Sequence, residues 1–521
     1  MMGVSLFGYL IAQARHTLPK AKKDSTFRVA PAIETIQRHV KLLGPGTKVV
    51  DVGPRNLVEV RLLIRLWKDG QTPGPRVLLP LTERLHVRNA VTSGLVGMMR
   101  DAGHRVTALV PRDLVAWTTR REPGVAVEAV EPYLGARWRR WLRRAPLRTL
   151  CYASREATEA IYRQKLGRRR ALRHRLGGAL ARALDRVYGG ERLARGVESL
   201  IPPSRRAERL VATEQPDVVL LPTTIYAGAE TEIQKAAQRA GVPVLVAPAS
   251  FDTLASKGSI LVRPDALLVW GEASRRHAVD LHGFPGEAVH VTGPAHWDFY
   301  AETSNTGPII LDPMVLVAGT TVAYWRDELA MVEALGAALA GTALVWYRPH
   351  PRRRERDIEA AFRFRNVRID EGWRAGGGDG DFSVEPFTLT STRGLLDKAS
   401  CVVAALSTLT VEAALMGKPT FLVGFGDSTQ GGAVRDHAAF THLRDVFAIP
   451  GVVLCHSLEA LIERVRSAAT EPMPESDREV LRAGAREIAY THGQARARIV
   501  EVVEEYATSK SSLRSAAAAA D

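Results

Sequence analysis

The 521-residue chain has only three cysteines, Cys151, Cys401 and Cys455, and they show neither paired nor metal-ligand spacing. This excludes a disulfide framework and a cysteine-held zinc site, and makes a reducing cytosol the expected setting. Long hydrophobic runs are also missing: no stretch reaches the roughly 18 apolar residues of a membrane span. The opening MMGVSLFGYLIAQAR has a short apolar patch with no basic stretch before it and no clear cleavage site after it. It is expected to be a helix that packs or touches lipid, not a secretory signal.

A hydrophobic fraction of 46% and a charged fraction of 24% are those of a soluble globular protein. The chain is too long for one ordinary core, so two domains of roughly 150–250 residues are expected. The net charge of +15 is concentrated: residues 137–195 hold 18 Arg or Lys against 4 Asp or Glu, about +14. The basicity therefore belongs to one element, and nucleic-acid binding by the whole protein is not implied. In ARWRRWLRRAPLRTL and QKLGRRRALRHRLGGALARALDRVY, Arg clusters alternate with Trp, Leu and Ala at helical spacing. Three readings stand: a solvated arginine face on an inserted helical hairpin, a basic amphipathic surface for anionic lipid or lipid phosphate, or a nucleic-acid contact.

Along the chain, residues 1–75 form an extension with a helix and a βα unit, TKVVDVGPRNLVEVRLLIRLW. That unit resembles the opening of nucleotide-cofactor folds such as the methyltransferases. Only one glycine follows its strand, however, and no second βα unit completes a pocket, so a structural role is expected. Residues 76–300 read as a Rossmann-like domain, with strands at Val77–Leu79, Val106–Val110, Val218–Leu221 and Val244–Val246 and the basic insertion at about 134–210. A polar linker spans about 301–312, and a second Rossmann-like domain covers 313–475. A single crossing helix is expected at 476–508 and a disordered tail at 509–521.

The chemistry is expected where strands end. TALVWYRPHPRRRE, residues 342–355, is an apolar run that stops at Arg348-Pro349-His350-Pro351. Open α/β sheets bind ligands at strand carboxyl ends. The prolines remove backbone donors and fix the chain direction, Arg348 can bind a phosphate bidentately, and His350 can donate to another oxygen. In AALSTLTVEAALMGKPTFLVG a strand ends near Ala405 and a helix starts at once. Ser407 and Thr408 can add hydroxyls to free helix N–H groups, and Glu412 can accept from a ribose diol. Either motif alone has a structural reading, as a strand-ending turn or an N-cap. Together they point to a nucleoside diphosphate, with Gly319 and Thr320 of the AGTT loop as a third edge.

This order of motifs, RPHP and then LLDKASCVVAALSTLTVEAALMGKP, resembles the donor half of GT-B glycosyltransferases. The likeness is greatest to the bacterial surface-carbohydrate and CDP-glycerol-type polymerising transferases. APASFDTLASKG and HVTGPAHWD resemble their acceptor-half loop and interdomain strand, so the resemblance covers roughly 75–505. It implies an α/β fold of two facing Rossmann-like domains, GT-B type, with an Arg-rich helical insertion and a C-terminal crossing helix. It also implies transfer of a sugar or polyol phosphate from a nucleotide-activated donor to a polysaccharide or lipid-linked acceptor, with inversion of stereochemistry. Non-hydrolysing sugar-nucleotide 2-epimerases share the fold and a similar Glu-bearing helix. CDP-glycerol transferases commonly carry His-Gly where this chain has Phe251-Asp252, and Asp370-Glu371-Gly372 follows the RPHP, whereas polysialyltransferase-type enzymes place an acidic-acidic-Gly motif before the His-Pro.

An inverting transfer needs a base for the acceptor hydroxyl. Asp252 is the first candidate, then Glu83 and His86 in LTERLHVRN, with Lys257 nearby in an acceptor or structural role. No cofactor or metal is expected, and Asp379 and Asp381 of GDGD read as a surface loop. The alternatives are a sugar-nucleotide 2-epimerase or hydrolase, which needs several acids and bases around one sugar, and a non-catalytic scaffold. A cytoplasmic protein is expected, peripheral at the inner membrane face if the basic insertion meets lipid.

Overall fold

The computed structural model describes residues 74–143, 147, 183, 189–223, 225, 228–301, 313–320, 325, 327–350, 365–370, 384–385, 387–405, 407–426 and 441–518. The βα unit expected before residue 75, most of the basic insertion, the 302–312 linker and the GDGD loop lie outside them. Contacts divide the chain into two units, residues 1–74 with 99–105 and all the rest. Of the first, the described part is Gly74 and the stretch 99–105, a helix end, a turn and the first residue of a strand. The fold below is that of the second.

Two parallel sheets organise it. The first holds β1 (Arg76–Pro80), β2 (Arg105–Val110), β3 (Ala126–Ala129), β4 (Val218–Leu221), β5 (Val244–Val246), β6 (Ala266–Val269) and β7 (Val289–Val291), in the order 3-2-1-4-5-6-7. The second holds β8 (Met314–Ala318), β9 (Leu344–Arg348), β10 (Val367–Ile369), β11 (Ala399–Ala404), β12 (Thr420–Val423) and β13 (Val452–Cys455), in the order 10-9-8-11-12-13. Central strands such as VVLL and MVLVA are buried at every residue because helices cover both faces. The edge strand β3, AVEA, is largely exposed and was not foreseen. This is the α/β class with paired Rossmann-like halves that the resemblance implied. Each sheet reverses its strand order once, between β1 and β4 and between β8 and β11, and such switch points open a ligand crevice at the strands' carboxyl ends.

The expected single crossing helix is two helices, Glu475–Ile488 and Ala495–Ala518. The second extends through ten residues of the expected disordered tail, where SSLRSAAA is rich in the best helix former. The break is where the chain docks on the N-terminal half: the Tyr490 N–H donates to the Trp270 carbonyl at 2.7 Å. Gly271 and Gly293 admit this close approach; a Cβ on Gly271 would lie 2.5 Å from the Glu487 carbonyl oxygen. Asp298 then caps the second helix, accepting from the N–H groups of Ala495 (2.8 Å) and Arg496 (3.0 Å). Trp270, Trp297 and Tyr300 of the N-terminal half join Met314, Leu316 and Ile488 in one apolar seam between the halves.

The start of the basic insertion has two faces. In the helix Arg137–Leu142, Trp138 and Trp141 are 54% and 64% exposed, beside exposed Arg137 and Arg140. Arg139 and Arg143 turn inward instead. Arg143 bonds Glu198 (2.7 Å) and Glu232 (2.5 Å), both buried, and Lys235 reaches Glu198 at 2.9 Å. Burial alone would lower the Arg143 pKa, and the two carboxylates raise it above the ordinary value. These arginines are therefore a structural anchor and not part of a solvated face. No helix among the described residues is long and apolar enough to cross a membrane.

Candidate functional site

A cavity of about 400 Å³ lies where the two sheets' carboxyl ends meet. The N-terminal half lines it with Glu83 and His86 after β1, Thr223 after β4, and Ser250, Phe251, Asp252 and Lys257 after β5. The C-terminal half contributes Ser407 and Thr408 after β11. All three base candidates thus share one chamber with the Ser-Thr turn.

Their surroundings separate them. Asp252 is engaged by the Lys257 ammonium (2.9 Å) and the Ser256 hydroxyl (2.7 Å), so taking a proton would cost it that ion pair. Lys257 thereby has a structural partner. Glu83 is exposed and occupies the N-cap position of the short helix Arg84–Val87, without a side-chain cap bond. His86 is 4% exposed, and its Nδ1 lies 3.8 Å from Oε1 of buried Glu230. This is not an ion pair, because burial holds the imidazole neutral, with its pKa lowered to about 4. Burial also raises Glu230 to about 7, opposed by the Thr82 hydroxyl that donates to it. Glu230 was missed in the sequence. It begins the helix Ala229–Arg239 just after β4, so the strand-end argument that singled out Glu83 applied to it equally.

In the C-terminal half, the Ser407 hydroxyl accepts from the Leu409 N–H (3.2 Å), while Thr408, at the N-cap position, makes no side-chain cap bond. The helix it opens, Leu409–Leu415, has only seven residues. Thr408 lies one helical turn before Glu412, whose N–H donates to the Thr408 carbonyl at 3.2 Å. Glu412 does not line the cavity; it accepts from the Tyr300 hydroxyl, with Arg88 and Arg348 close by. Burial raises its pKa, and Tyr300, Arg88, Arg348 and Thr408 oppose that rise.

Arg348, His350, Gly319 and Thr320 are likewise outside the cavity lining. The Gly319 N–H donates to the Arg348 carbonyl (2.8 Å), and a Cβ on Gly319 would press on Arg348 and His350 backbone at 3.0 Å. These residues therefore form one edge. Arg348 Nε lies 3.5 Å from buried Asp370, the acid of the motif that follows RPHP. Thr320 does not offer its N–H to a ligand, because Glu328 accepts it at 2.6 Å while also accepting from Tyr347 at 2.5 Å. The predicted residues thus divide into a cavity group and an Arg348–Glu412 group, joined through the helical turn in which the Glu412 N–H donates to the Thr408 carbonyl.

No family model matches the chain, and no curated protein matches its sequence. Solved structures do resemble it. The calicheamicin glycosyltransferase CalG4 is 14% identical with a TM-score of 0.47, over 83% of this chain and 98% of that one. A UDP-GlcNAc 2-epimerase from Neisseria meningitidis, bound to UDP-GlcNAc, is 14% identical with a TM-score of 0.47, over 82% and 98%. MurG from Acinetobacter baumannii is 14% identical with a TM-score of 0.42, over 83% and 100%.

Proposed function

We propose that the chain is a glycosyltransferase of GT-B type, moving a sugar or polyol phosphate from a nucleotide-activated donor to a carbohydrate or lipid-linked acceptor. The observation that carries this is the single cavity built by strand ends of both sheets, holding His86 and Asp252 on one side and Ser407 and Thr408 on the other. An acceptor hydroxyl would attack the donor's reacting atom as the bond to the nucleotide's phosphate breaks. His86 takes the hydroxyl's proton in place of Asp252, which is held by Lys257. It is neutral, so it can accept one, and Glu230 lies 3.8 Å from the ring's Nδ1. Arg348 and His350 would neutralise the departing phosphate, with Glu412 on the ribose. Thermal shifts against UDP, GDP, CDP, CMP and dTDP-sugars test the reading: stabilisation by one nucleotide, lost in H350A and E412A, supports it. Linkage sets the expected scale at about 2.7 kcal/mol for a hundredfold excess over Kd.

Glu83, His86 and Asp252 around one chamber also suit a sugar-nucleotide 2-epimerase or hydrolase. NMR of the bound nucleotide-sugar, incubated without acceptor, separates the two. Epimer or free sugar would favour this second reading; turnover only with acceptor favours transfer. For the helix Arg137–Leu142, the outward Trp138 and Trp141 beside Arg137 and Arg140 support docking on an anionic membrane face, where lipid-linked acceptors reside.

A further inference from the structure

The Tyr300 hydroxyl sits on Glu412, the carboxylate assigned above to a ribose. A phenol donating to a carboxylate makes the bond that a sugar hydroxyl would make there. Two guanidiniums flank this contact from opposite halves. Arg348 comes from the end of β9, and its buried Nη1 has no hydrogen-bond partner among the described residues. Arg88 comes from the N-terminal half, at the start of the π-helical turn Arg88–Thr92. That turn packs against Ala295–Ala301, the turn that carries Tyr300. The Arg88 guanidinium is close enough to Glu412, Tyr300 and Arg348 for each to act on its charge, the first two favouring it and Arg348 opposing it.

Glu412 thus holds a phenol and lies in the field of two guanidiniums that repel each other, Arg88 meanwhile donating to Asn89 Oδ1 at 3.3 and 3.4 Å. A ligand with a diol and a diphosphate would sort these groups. Its hydroxyls suit Glu412, and its phosphate oxygens suit the two forked cations, which like-charge repulsion otherwise keeps from closing on one another. We propose that Arg88 is the N-terminal half's ligand for the diphosphate of a nucleoside diphosphate, gripping it against Arg348, while Tyr300 holds the place of the ribose hydroxyl on Glu412 until the nucleotide displaces it. This rests on the reading of the Arg348–Glu412 group as a donor site, and it adds Arg88 and Tyr300, which the sequence did not suggest. It also makes the two halves close on the donor through its phosphates.

Isothermal titration of the full chain with UMP and UDP, CMP and CDP, and GMP and GDP tests it, on wild type, R88Q, R88K and Y300F. For one base, wild type should bind the diphosphate about tenfold or more tighter than the monophosphate. R88Q should lose most of that gain while keeping monophosphate affinity, and R88K should keep part of it as a point charge without the fork. Y300F should bind the diphosphate at least as tightly as wild type. Saturation should also change tryptophan emission, since Trp297 lies edge-on to Tyr300 with ring centroids 5.9 Å apart. If R88Q keeps the full gain, or R88Q and R88K both lose the monophosphate as well, the role of Arg88 is overturned. Weaker binding by Y300F, or unchanged emission at saturation, overturns that of Tyr300. If wild type binds none of the six nucleotides, the donor-site reading itself fails.

Discussion

Nδ1 of His86 lies 3.8 Å from Oε1 of Glu230, and burial moves the two groups in opposite directions, the imidazole down to about 4 and the carboxyl up to about 7. Both shifts favour the uncharged form. The raised Glu230 contributes stability that is fully present below its unfolded value of 4.5 and is lost as pH rises through 7. The lowered His86 contributes stability present above its unfolded value of 6.5 and lost as pH falls through 4. Denaturant unfolding at pH 5.5 and 8.5 should therefore show wild type losing about 2 kcal/mol from Glu230 on the alkaline side. E230Q, which cannot ionise, should lose much less over the same interval. Equal losses in the two proteins would refute the assignment.

Base identity is checked by substitution once binding has named the donor. H86Q should lower turnover by about 10²–10⁴-fold. D252N should stay within roughly tenfold, because Asp252 already serves Lys257 and Ser256. A larger loss in D252N than in H86Q would return the base to the β5 loop.

Arg143 is held by two buried carboxylates, so R143M leaves Glu198 and Glu232 in the interior with Lys235 and Arg139 as their remaining cations. Removing one partner of a buried ion pair costs about 3–5 kcal/mol, and R143M should destabilise by that amount. R140Q, on the exposed side of the same segment, should stay within about 0.5 kcal/mol. Urea unfolding of the two variants reads the difference directly.

Membrane docking is tested by co-sedimentation with phosphatidylglycerol vesicles. Each arginine near an anionic surface contributes about 1 kcal/mol, so R137Q/R140Q should weaken binding roughly 30-fold at low salt. W138A/W141A should weaken it at high salt too, where charge attraction is screened but apolar insertion is not. Wild type that stays in the supernatant at low salt would exclude this role.

Much of the framework was legible because buried parallel strands read as uninterrupted Val/Leu runs. Val218–Leu221 and Val244–Val246 stand in the structure with the bounds read from the sequence. β3 escaped notice because an edge strand of four residues, mostly exposed, carries no such run. The C-terminal helices were merged because helical spacing continues on both sides of residues 489–494. The break there depends on the left-handed Gly493 (φ 69°) and on Tyr490 docking against Trp270, a partner distant in sequence.

By itself, the sequence determined which residues stand at the ends of strands, because local apolar periodicity and turn chemistry decide that. It therefore placed Glu83, His86, Asp252, Arg348, Ser407 and Thr408 at the carboxyl edges of two sheets. Only the tertiary structure decided which charges meet. Asp252 is taken by Lys257, His86 is backed by Glu230, Thr320 is spent on Glu328, Glu412 is held by Tyr300, and Arg143 is drawn inward by Glu198 and Glu232. Ionisation and hydrogen bonding depend on burial and on distances through space, and most of these partners come from elements far apart along the chain.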